Sequence, residues 1–185
     1  MQMKKLTLVI SAGLFIYGLN SCKNSGATNH KLNTDRIVCV SKQLTEMIFA
    51  LGAQDRLVGT DLSSTYPEAA KKLTKVGYHR LLSAEGIISL KPTVVFHDGN
   101  IAPQAAIDQV SKVGIPLLGF GKTKTIEDAT KLMDSLGSIF HKEKESKFLN
   151  EKLLKDMAEA KAQMKNVKDK PKVVIIHYGR QISAI

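Results

Sequence analysis

Aromatic residues are scarce in this chain of 185 residues: they make up 5% of it, and tryptophan is absent. Proteins that read single-stranded nucleic acid stack bases on aromatic side chains, so the scarcity argues against that class. The two cysteines are too few for a disulfide framework. Charged residues (24%) and hydrophobic residues (43%) occur in the proportions of a globular protein, which disfavours a disordered chain and a polytopic membrane protein.

The common signatures of nucleotide binding and hydrolysis are missing as well. No GxGxxG follows the first predicted strand and no P-loop pattern occurs, so a nucleotide site would lack its phosphate cradle. Neither GxSxG nor HExxH occurs. His97 with Asp98 could still orient a general base, although no nucleophile is marked beside them. An α/β enzyme that uses His97 and Asp98 therefore stays open as an alternative of another class.

The N-terminal residues predict an export signal. Two lysines precede the apolar stretch 6–19, which is shorter than the ~20 residues of a transmembrane helix but suits a signal peptide. The stretch ends in Leu-Asn-Ser-Cys, which resembles a bacterial lipobox with cleavage before Cys22 and acylation of its thiol. We therefore predict a lipoprotein signal peptide at 1–21 and a flexible, polar tether at 22–35. An ordinary secretory signal with an incidental Cys22 is the alternative.

The net charge of +10 needs an explanation, because a basic surface can attract nucleic acid or anionic lipid. Removal of the predicted signal peptide takes two lysines with it and leaves 25 basic and 17 acidic residues, a net charge of +8. Seven lysines fall within 141–167, where glutamates are interleaved with them at helical spacing. This pattern is typical of a solvated helix face, so we expect no nucleic-acid partner.

From residue 36 onward, short β-branched runs alternate with longer helical patterns. The predicted strands are 36–40, 57–60, 93–97, 116–120 and 172–177. The predicted helices among them are 45–51, 83–90, 103–113 and 126–140. Alternating strands and helices imply a parallel sheet that is covered on both faces. We therefore predict an α/β fold, with a Rossmann-like, parallel-sheet lobe at 36–140.

A long helix is predicted after this lobe. Residues 141–167 carry an apolar stripe among charged residues, and Pro171 precedes a further β-branched run. The stripe consists of Phe148, Leu149, Leu153, Met157, Ala160 and Met164. We assign 141–168 to a connecting helix and 171–185 to the start of a second, C-terminal lobe. A strand that opens a new βα unit needs a following helix to bury it, so we expect most of the second lobe to be missing from this chain. An inactive remnant of a truncated gene is the alternative.

The stretch 76–86, VGYHRLLSAEG, contains the most informative candidate residues. Tyr78 and Arg80 are two residues apart, so in an extended loop they would project to the same side. A guanidinium beside a phenol favours the phenolate, which is a hard oxygen donor suited to ferric iron, and tyrosine is a known haem ligand. Arg80 could instead clamp a haem propionate. The plain alternative is a loop tyrosine beside a surface arginine; His79 should point away from Tyr78 and is not predicted to be a ligand.

Three segments of the chain carry a resemblance to a known family. They are RIVCVSKQLTEMIFALGAQDRLVGTDLSSTYP (36–67), VGYHRLLSAEGIISLKPTVVFHD (76–98) and VSKVGIPLLGF (110–120). With them, the chain from about residue 36 onward resembles the bilobal substrate-binding proteins of ABC importers for haem, cobalamin and ferric siderophores. That fold has two lobes joined by a single long helix. The pattern VGYxRxLSAEG resembles more narrowly the haem-binding branch.

The resemblance to the haem-binding branch implies roles for individual residues. Tyr78 would ligate the haem iron and Arg80 would support it. Glu85 would dock on an arginine of the permease, although a glutamate in a first helical turn is also favoured by the helix dipole alone. His177 would lie beside the cleft, where some haem-binding members supply a histidine; a strand-end histidine bonded to backbone is the plain alternative.

The same resemblance implies a binding protein and not an enzyme. Its ligand would be haem, and its partners would be the permease and ATPase subunits of an ABC transporter. It would lie on the periplasmic or cell-surface face of a bacterial membrane, held there by the lipid on Cys22. Cobalamin or a ferric siderophore is the alternative ligand within the family, and Tyr78 would then be a wall of the site.

Overall fold

A computed structural model of the chain describes residues 32–165, 167, 171–177 and 183–184. The predicted signal peptide and the predicted lipidation site Cys22 lie outside these residues. Across the described ranges, no helix has both the length and the hydrophobicity that a membrane span requires. Leu32 packs against the hydrophobic core, so the end of the predicted tether, 32–35, belongs to the folded body.

Nine short strands lie in the described part of the chain. Their bounds are β1 (Ile37–Cys39), β2 (Leu57–Thr60), β3 (Thr74–Lys75), β4 (Gly77–Tyr78), β5 (Leu81–Leu82), β6 (Val94–His97), β7 (Leu117–Gly119), β8 (Ile176–His177) and β9 (Ser183–Ala184). Five of them form one parallel sheet in the order β3-β2-β1-β6-β7. The pairs β4–β5 and β8–β9 are separate and antiparallel.

Five helices accompany the strands in the described residues. Their bounds are α1 (Lys42–Ala50), α2 (Ala84–Ser89), α3 (Gln104–Lys112), α4 (Ile126–Phe140) and α5 (Glu143–Met164). The connections from β1 to β2 and from β6 to β7 run through α1 and α3, as parallel pairing requires. The predicted α/β fold with a parallel sheet is confirmed.

Helices cover both faces of the central strand β1. Successive side chains of a strand point to opposite faces, so Ile37 and Cys39 face one layer while Val38 and Val40 face the other. The first pair packs with residues of α1 and α4, and the second with residues of α2 and α3. All four side chains are fully buried. Burial on both faces explains why 37–40 is a continuous apolar run.

Cys39 provides a test of this burial. Burial raises the pKa of the Cys39 thiol to about 12, so the reactive thiolate is scarce near neutral pH. In a Cys22→Ser variant, where Cys39 is the remaining cysteine, we expect no labelling by iodoacetamide in buffer and complete labelling in urea. Labelling in buffer at the rate of a free thiol would contradict the packing of β1.

The start of α1 differs from the prediction. The helix begins at Lys42 with Ser41 as its N-cap, whose hydroxyl accepts a hydrogen bond from the Leu44 N–H at 3.4 Å. Thr45, predicted as an N-cap or as a residue of the first turn, lies in the first turn and is fully buried. Its hydroxyl donates to the Ser41 carbonyl oxygen at 2.9 Å, which satisfies a polar group that has no access to water.

The predicted long helix, 141–168, begins two residues later and ends four residues earlier than expected. His141 adopts a left-handed conformation (φ 57°) and ends α4, so α5 is a separate helix that begins at Glu143. Contacts between α4 and α5 are close: a Cβ on Gly137 would lie 2.6 Å from the Ser146 Cβ. Glycine at 137 is therefore what lets the two helices approach here.

A polar cluster holds α5 on α4, and only part of the predicted apolar stripe is packed there. The side chains of Ser146 and Asn150 are the buried ones of α5, and both donate to Asp134 Oδ1, at 2.6 and 2.8 Å. Of the predicted stripe, Leu149 packs against the core, whereas Phe148 and Met164 are 65% and 70% exposed. The apolar spacing was therefore a correct indicator of a helix and a poor indicator of its buried face.

The predicted strand 172–177 is shorter than expected. Strand pairing begins at Ile176, and residues 171–175 have no regular structure. The side chains of Val173, Val174 and Ile175 are 72%, 83% and 69% exposed. In the described residues these side chains have no neighbouring sheet to join, so their β-branched character alone does not produce a strand.

Candidate functional site

Polar side chains gather at the edge of the sheet where the strands have their carboxyl ends. Ser41 follows β1, Asp61 follows β2, and Asp98 follows β6. The Ser41 hydroxyl donates to Asp98 Oδ2 at 3.1 Å, and the hydroxyl oxygens of Thr45 and Ser64 lie 3.1 Å apart. Ligands of open parallel sheets bind outside this edge, so the candidate site is built here.

Asp61 is the most buried charged residue of this edge, with 0% of its surface exposed. Its Oδ1 accepts a hydrogen bond from the Ser64 hydroxyl at 2.6 Å. Its Oδ2 accepts from the Ser63 backbone N–H at 3.2 Å and from the Ser63 hydroxyl. A buried carboxylate is tolerated when its oxygens are satisfied in this way, and the same bonds fix its orientation.

Lys75 holds the loop that follows Asp61. Its ammonium donates to the Thr60 hydroxyl oxygen at 2.8 Å and to the carbonyl oxygens of Ser64 at 2.8 Å and Ala70 at 2.9 Å. Burial lowers the pKa of Lys75, while the charge of Asp61 acts in the opposite direction. Three fixed acceptors around one ammonium fasten the loop to the end of β2.

Tyr78 lies on a tight hairpin beside this loop. In the hairpin Tyr78 of β4 pairs with Leu81 of β5, and the Leu62 N–H donates to the Gly77 carbonyl oxygen at 2.8 Å. Gly77 has φ 105°, and a Cβ there would lie 2.6 Å from the Leu81 carbonyl oxygen, so the hairpin requires glycine. The Tyr78 side chain is 43% exposed, which leaves its phenol accessible at the edge.

The hairpin corrects two local predictions. His79 and Arg80 form its two-residue turn, so the alternation of an extended loop does not describe the relation between Tyr78 and Arg80. Arg80 is exposed. His79 does not point away from Tyr78: the two ring centroids are 4.1 Å apart, with planes tilted by 49°. His79 Nδ1 also lies 3.4 Å from Asp61 Oδ2.

Apolar side chains are exposed on the hairpin of Tyr78 and on the neighbouring loop after β2. Leu62 (55% exposed) and Tyr66 (68%) belong to the loop after β2, and Leu81 (73%) belongs to the hairpin. Large apolar side chains left open on neighbouring loops are typical of a binding surface. Sequence reasoning missed Leu62, Tyr66 and Leu81 as site residues, because single apolar residues in loops carry no periodic signal.

His97 and Asp98 do not form the predicted orienting pair. His97 Nδ1 accepts the Gly99 N–H at 3.0 Å, while Asp98 accepts the Ser41 hydroxyl and, at 2.9 Å, the Asn100 N–H. Each side chain is therefore engaged with another partner. His97 borders an open groove of about 730 Å³ between α3 and β7, and Tyr78 is not part of the lining of that groove.

The half-buried position of His97 predicts an acid-sensitive stability. Burial lowers the pKa of His97 below its usual value near 6.5, and the charge of Asp98 acts against this effect. Between about pH 6.5 and the lower pKa of the folded state, His97 holds a proton in the unfolded chain but not in the folded chain. The free energy of unfolding therefore falls as the pH drops below about 6.5 and through the folded pKa. Urea unfolding at about pH 7.5 and 5.5 measures the loss.

The variant His97→Asn is the control for that prediction. Its side-chain oxygen can accept the Gly99 N–H as Nδ1 does, but it does not titrate. We expect its loss of stability between the two pH values to be smaller than in the wild type. An equal loss in both proteins would place the acid sensitivity elsewhere.

The structure describes the side chain of Glu85 but only the backbone of His177. Glu85 is exposed in the first turn of α2 and accepts a hydrogen bond from the N-cap Ser83 hydroxyl at 3.2 Å, so its plain helix-end role is present. The backbone of His177 ends β8 and pairs with Ser183. The position of the His177 side chain lies outside what the structure describes.

The match to known proteins covers most of the chain. Residues 37–184 match the periplasmic binding protein family. The chain belongs to this family. The fold supports the same assignment: the periplasmic haem-binding protein RhuT of Roseiflexus sp. RS-1 superposes with a TM-score of 0.70 at 31% identity, over 78% of this chain and 56% of that protein.

Two relatives found by sequence match different lengths of this chain. The uncharacterized ABC transporter substrate-binding lipoprotein YvrC of Bacillus subtilis is 30% identical over 166 residues, which are 88% of this chain and 52% of that protein. A vitamin B12-binding protein of Yersinia pestis is 38% identical over 85 residues, 45% of this chain and 30% of that protein. The chain thus spans about half the length of the first relative. Both relatives are named as binding proteins.

Proposed function

We propose that this protein is the substrate-binding component of an ABC importer and that its ligand is haem, delivered to the permease without chemical change. The observation that carries the proposal is the phenol of Tyr78, accessible at the carboxyl edge of the sheet on a hairpin that glycine and backbone bonds hold in place. Phenolate oxygen is an established axial ligand of haem iron. Haem brings its own metal coordination, so one protein oxygen suffices.

The surroundings of Tyr78 fit a flat, largely apolar ligand with anionic ends. Leu62, Tyr66 and Leu81 offer apolar contact, and a porphyrin gains free energy of about 25 cal/mol for each Å² of apolar area that it buries. We propose that Arg80, which is exposed in the turn, pairs with a propionate or with the iron-bound phenolate. The similarity to RhuT, which is named a haem-binding protein, supports the same ligand.

The iron ligand can be tested by removal of one oxygen atom. In Tyr78→Phe the ring stays and the phenolate is lost, so hemin should bind at least tenfold more weakly and without the absorption bands of a high-spin ferric tyrosinate complex. The measurement is a hemin titration of the full-length protein followed by absorption spectroscopy. Tyr66→Phe is the matched control: it also removes a phenolic oxygen from an exposed tyrosine, but it keeps the apolar ring that the proposal uses, so hemin binding and the spectrum should be retained. An unchanged spectrum in Tyr78→Phe would sink the ligand assignment.

Cobalamin is the second candidate, favoured by the similarity to the vitamin B12-binding protein of Yersinia pestis. In that case Tyr78 would be a wall of the site and its hydroxyl would be dispensable. Parallel titrations with hemin, cyanocobalamin and a ferric siderophore separate the candidates. Tight cobalamin binding that survives Tyr78→Phe would replace the haem proposal.

Delivery to the permease requires a docking surface and a location. We propose that Glu85, exposed at the start of α2, pairs with an arginine of the permease. We further propose that the lipid on Cys22 holds the protein at the outer face of a bacterial membrane, together with the ATPase and permease subunits. His177 is retained as a candidate second haem contact, by the resemblance alone.

A further inference from the structure

His79 lies between a buried carboxylate and the exposed ring of Tyr78. Its Nδ1 is 3.4 Å from Asp61 Oδ2, and its ring centroid is 4.1 Å from that of Tyr78. The His79 side chain is 17% exposed, against 0% for Asp61. The imidazole therefore extends from the turn of the hairpin inward to the polar cluster at the end of β2.

The carboxylate at the inner end of this arrangement cannot rotate freely. Both oxygens of Asp61 accept hydrogen bonds, Oδ1 from the Ser64 hydroxyl and Oδ2 from Ser63. The Ser64 carbonyl oxygen accepts a hydrogen bond from the Lys75 ammonium of β3, and its hydroxyl oxygen lies 3.1 Å from that of Thr45 in α1. The partner that faces His79 is thus fastened to the sheet through Lys75, and not held by the loop alone.

The backbone of the hairpin is fixed as well. The Ala102 N–H donates to the His79 carbonyl oxygen at 2.9 Å, and the Leu82 N–H donates to the Ala102 carbonyl oxygen at 2.9 Å. What remains free is the pair of side-chain torsions of Tyr78, which is 43% exposed. The one described aromatic contact of the Tyr78 ring is with His79.

We propose that His79 is a positioning residue, anchored by Asp61, which holds the Tyr78 ring in one rotamer before the ligand arrives. The inference rests on the proposed function, in which the Tyr78 oxygen is the iron ligand. An unfixed side chain must be immobilised when it binds, and this weakens binding by about 3- to 10-fold for one such group. His79 is not itself an iron ligand in this arrangement.

The positioning can be measured without any ligand. In the full-length protein in detergent, the two Hα–Hβ couplings of Tyr78 should have the values of a single staggered rotamer, and in His79→Ala both should move to the intermediate values of a rotamer average. Asp61→Asn keeps the shape of the anchor and removes its charge, and it should shift the couplings in the same direction. His141→Asn is the matched histidine control, because asparagine is tolerated at its left-handed position.

The ligand experiment then uses hemin. His79→Ala should weaken hemin binding by about 3- to 10-fold, and Asp61→Asn should add little in the His79→Ala background, because the two act as one unit. Additive effects of the two substitutions, or unchanged Tyr78 couplings in His79→Ala, would overturn the inference. Altered couplings with unchanged hemin affinity would overturn its binding role.

Failure of the proposed function gives a different result. If hemin does not bind the wild type, or if Tyr78→Phe leaves the spectrum unchanged, the haem proposal falls. The couplings of the ligand-free protein still decide whether His79 and Asp61 fix the Tyr78 ring. The two failures are therefore read from separate measurements.

Discussion

Phe96→Ala is expected to lower the free energy of unfolding by about 3–5 kcal/mol, the range for removal of a buried aromatic side chain. Phe96 is fully buried on β6, next to the central strand. Its ring meets Phe120 edge-on, with centroids 5.0 Å apart, and lies 6.2 Å from Phe140 at the end of α4. Removal of the ring leaves a cavity between the sheet and α4 that neighbours on regular elements cannot fill without distortion.

Phe148→Ala is the matched control for that substitution. Phe148 is 65% exposed on α5, so the same chemical change there should alter stability by no more than about 0.5 kcal/mol. Urea unfolding followed by circular dichroism measures both variants. Equal losses in the two variants would contradict the position of the core between β6 and α4.

Gly77→Ala is expected to abolish tight hemin binding while the sheet stays folded. A methyl group at this position would lie 2.6 Å from the Leu81 carbonyl oxygen, and the backbone would keep a φ of 105° that alanine disfavours. The strain is of order 1–3 kcal/mol, and its relief requires the hairpin to shift. Because Tyr78 is the next residue, the shift displaces the proposed iron ligand.

Gly99→Ala separates strain from displacement. Gly99 also has a positive φ of 86°, but a Cβ there would meet no atom within 4 Å. The two variants share the cost of the backbone conformation, and the overlap with Leu81 is confined to Gly77. Hemin titration should therefore show a loss of at least tenfold in Gly77→Ala alone. Tight binding in Gly77→Ala would show that the hairpin does not position the ligand.

The sheet was largely predictable because its strands and helices are specified locally. Strand 57–60 and helix 126–140 have the predicted bounds, since turn residues flank an apolar run in each case. The two-residue strand β3 and the hairpin β4–β5 were not predicted, because elements this short have no measurable period. The buried face of α5 was missed for another reason: its contacts are made by Ser146 and Asn150, which pattern reasoning assigns to the surface.

The site residues that belong to a sequence motif could be predicted. Those brought together only by contacts between distant parts of the chain could not. Tyr78 could be singled out from its spacing to Arg80 and from a family resemblance. The contact of His79 with Tyr78, and its approach to Asp61 from a distance of eighteen residues along the chain, depend on the tight turn and on the loop that Lys75 fastens. The side-chain alternation of an extended strand predicts the opposite orientation for His79, and the turn overrides it.

The polar cluster on Asp134 attaches α5 to α4 near the N-terminal end of α5. The last buried side chain of α5 is that of Asn150, and the fourteen residues from 151 to Met164, among them the half-buried Met157, extend about 21 Å further. A small change of angle at this cluster would therefore move the end of α5, at Met164, by a larger distance. The orientation of any segment joined to that end would depend on the hydrogen bonds that Ser146 and Asn150 donate to the Asp134 carboxylate.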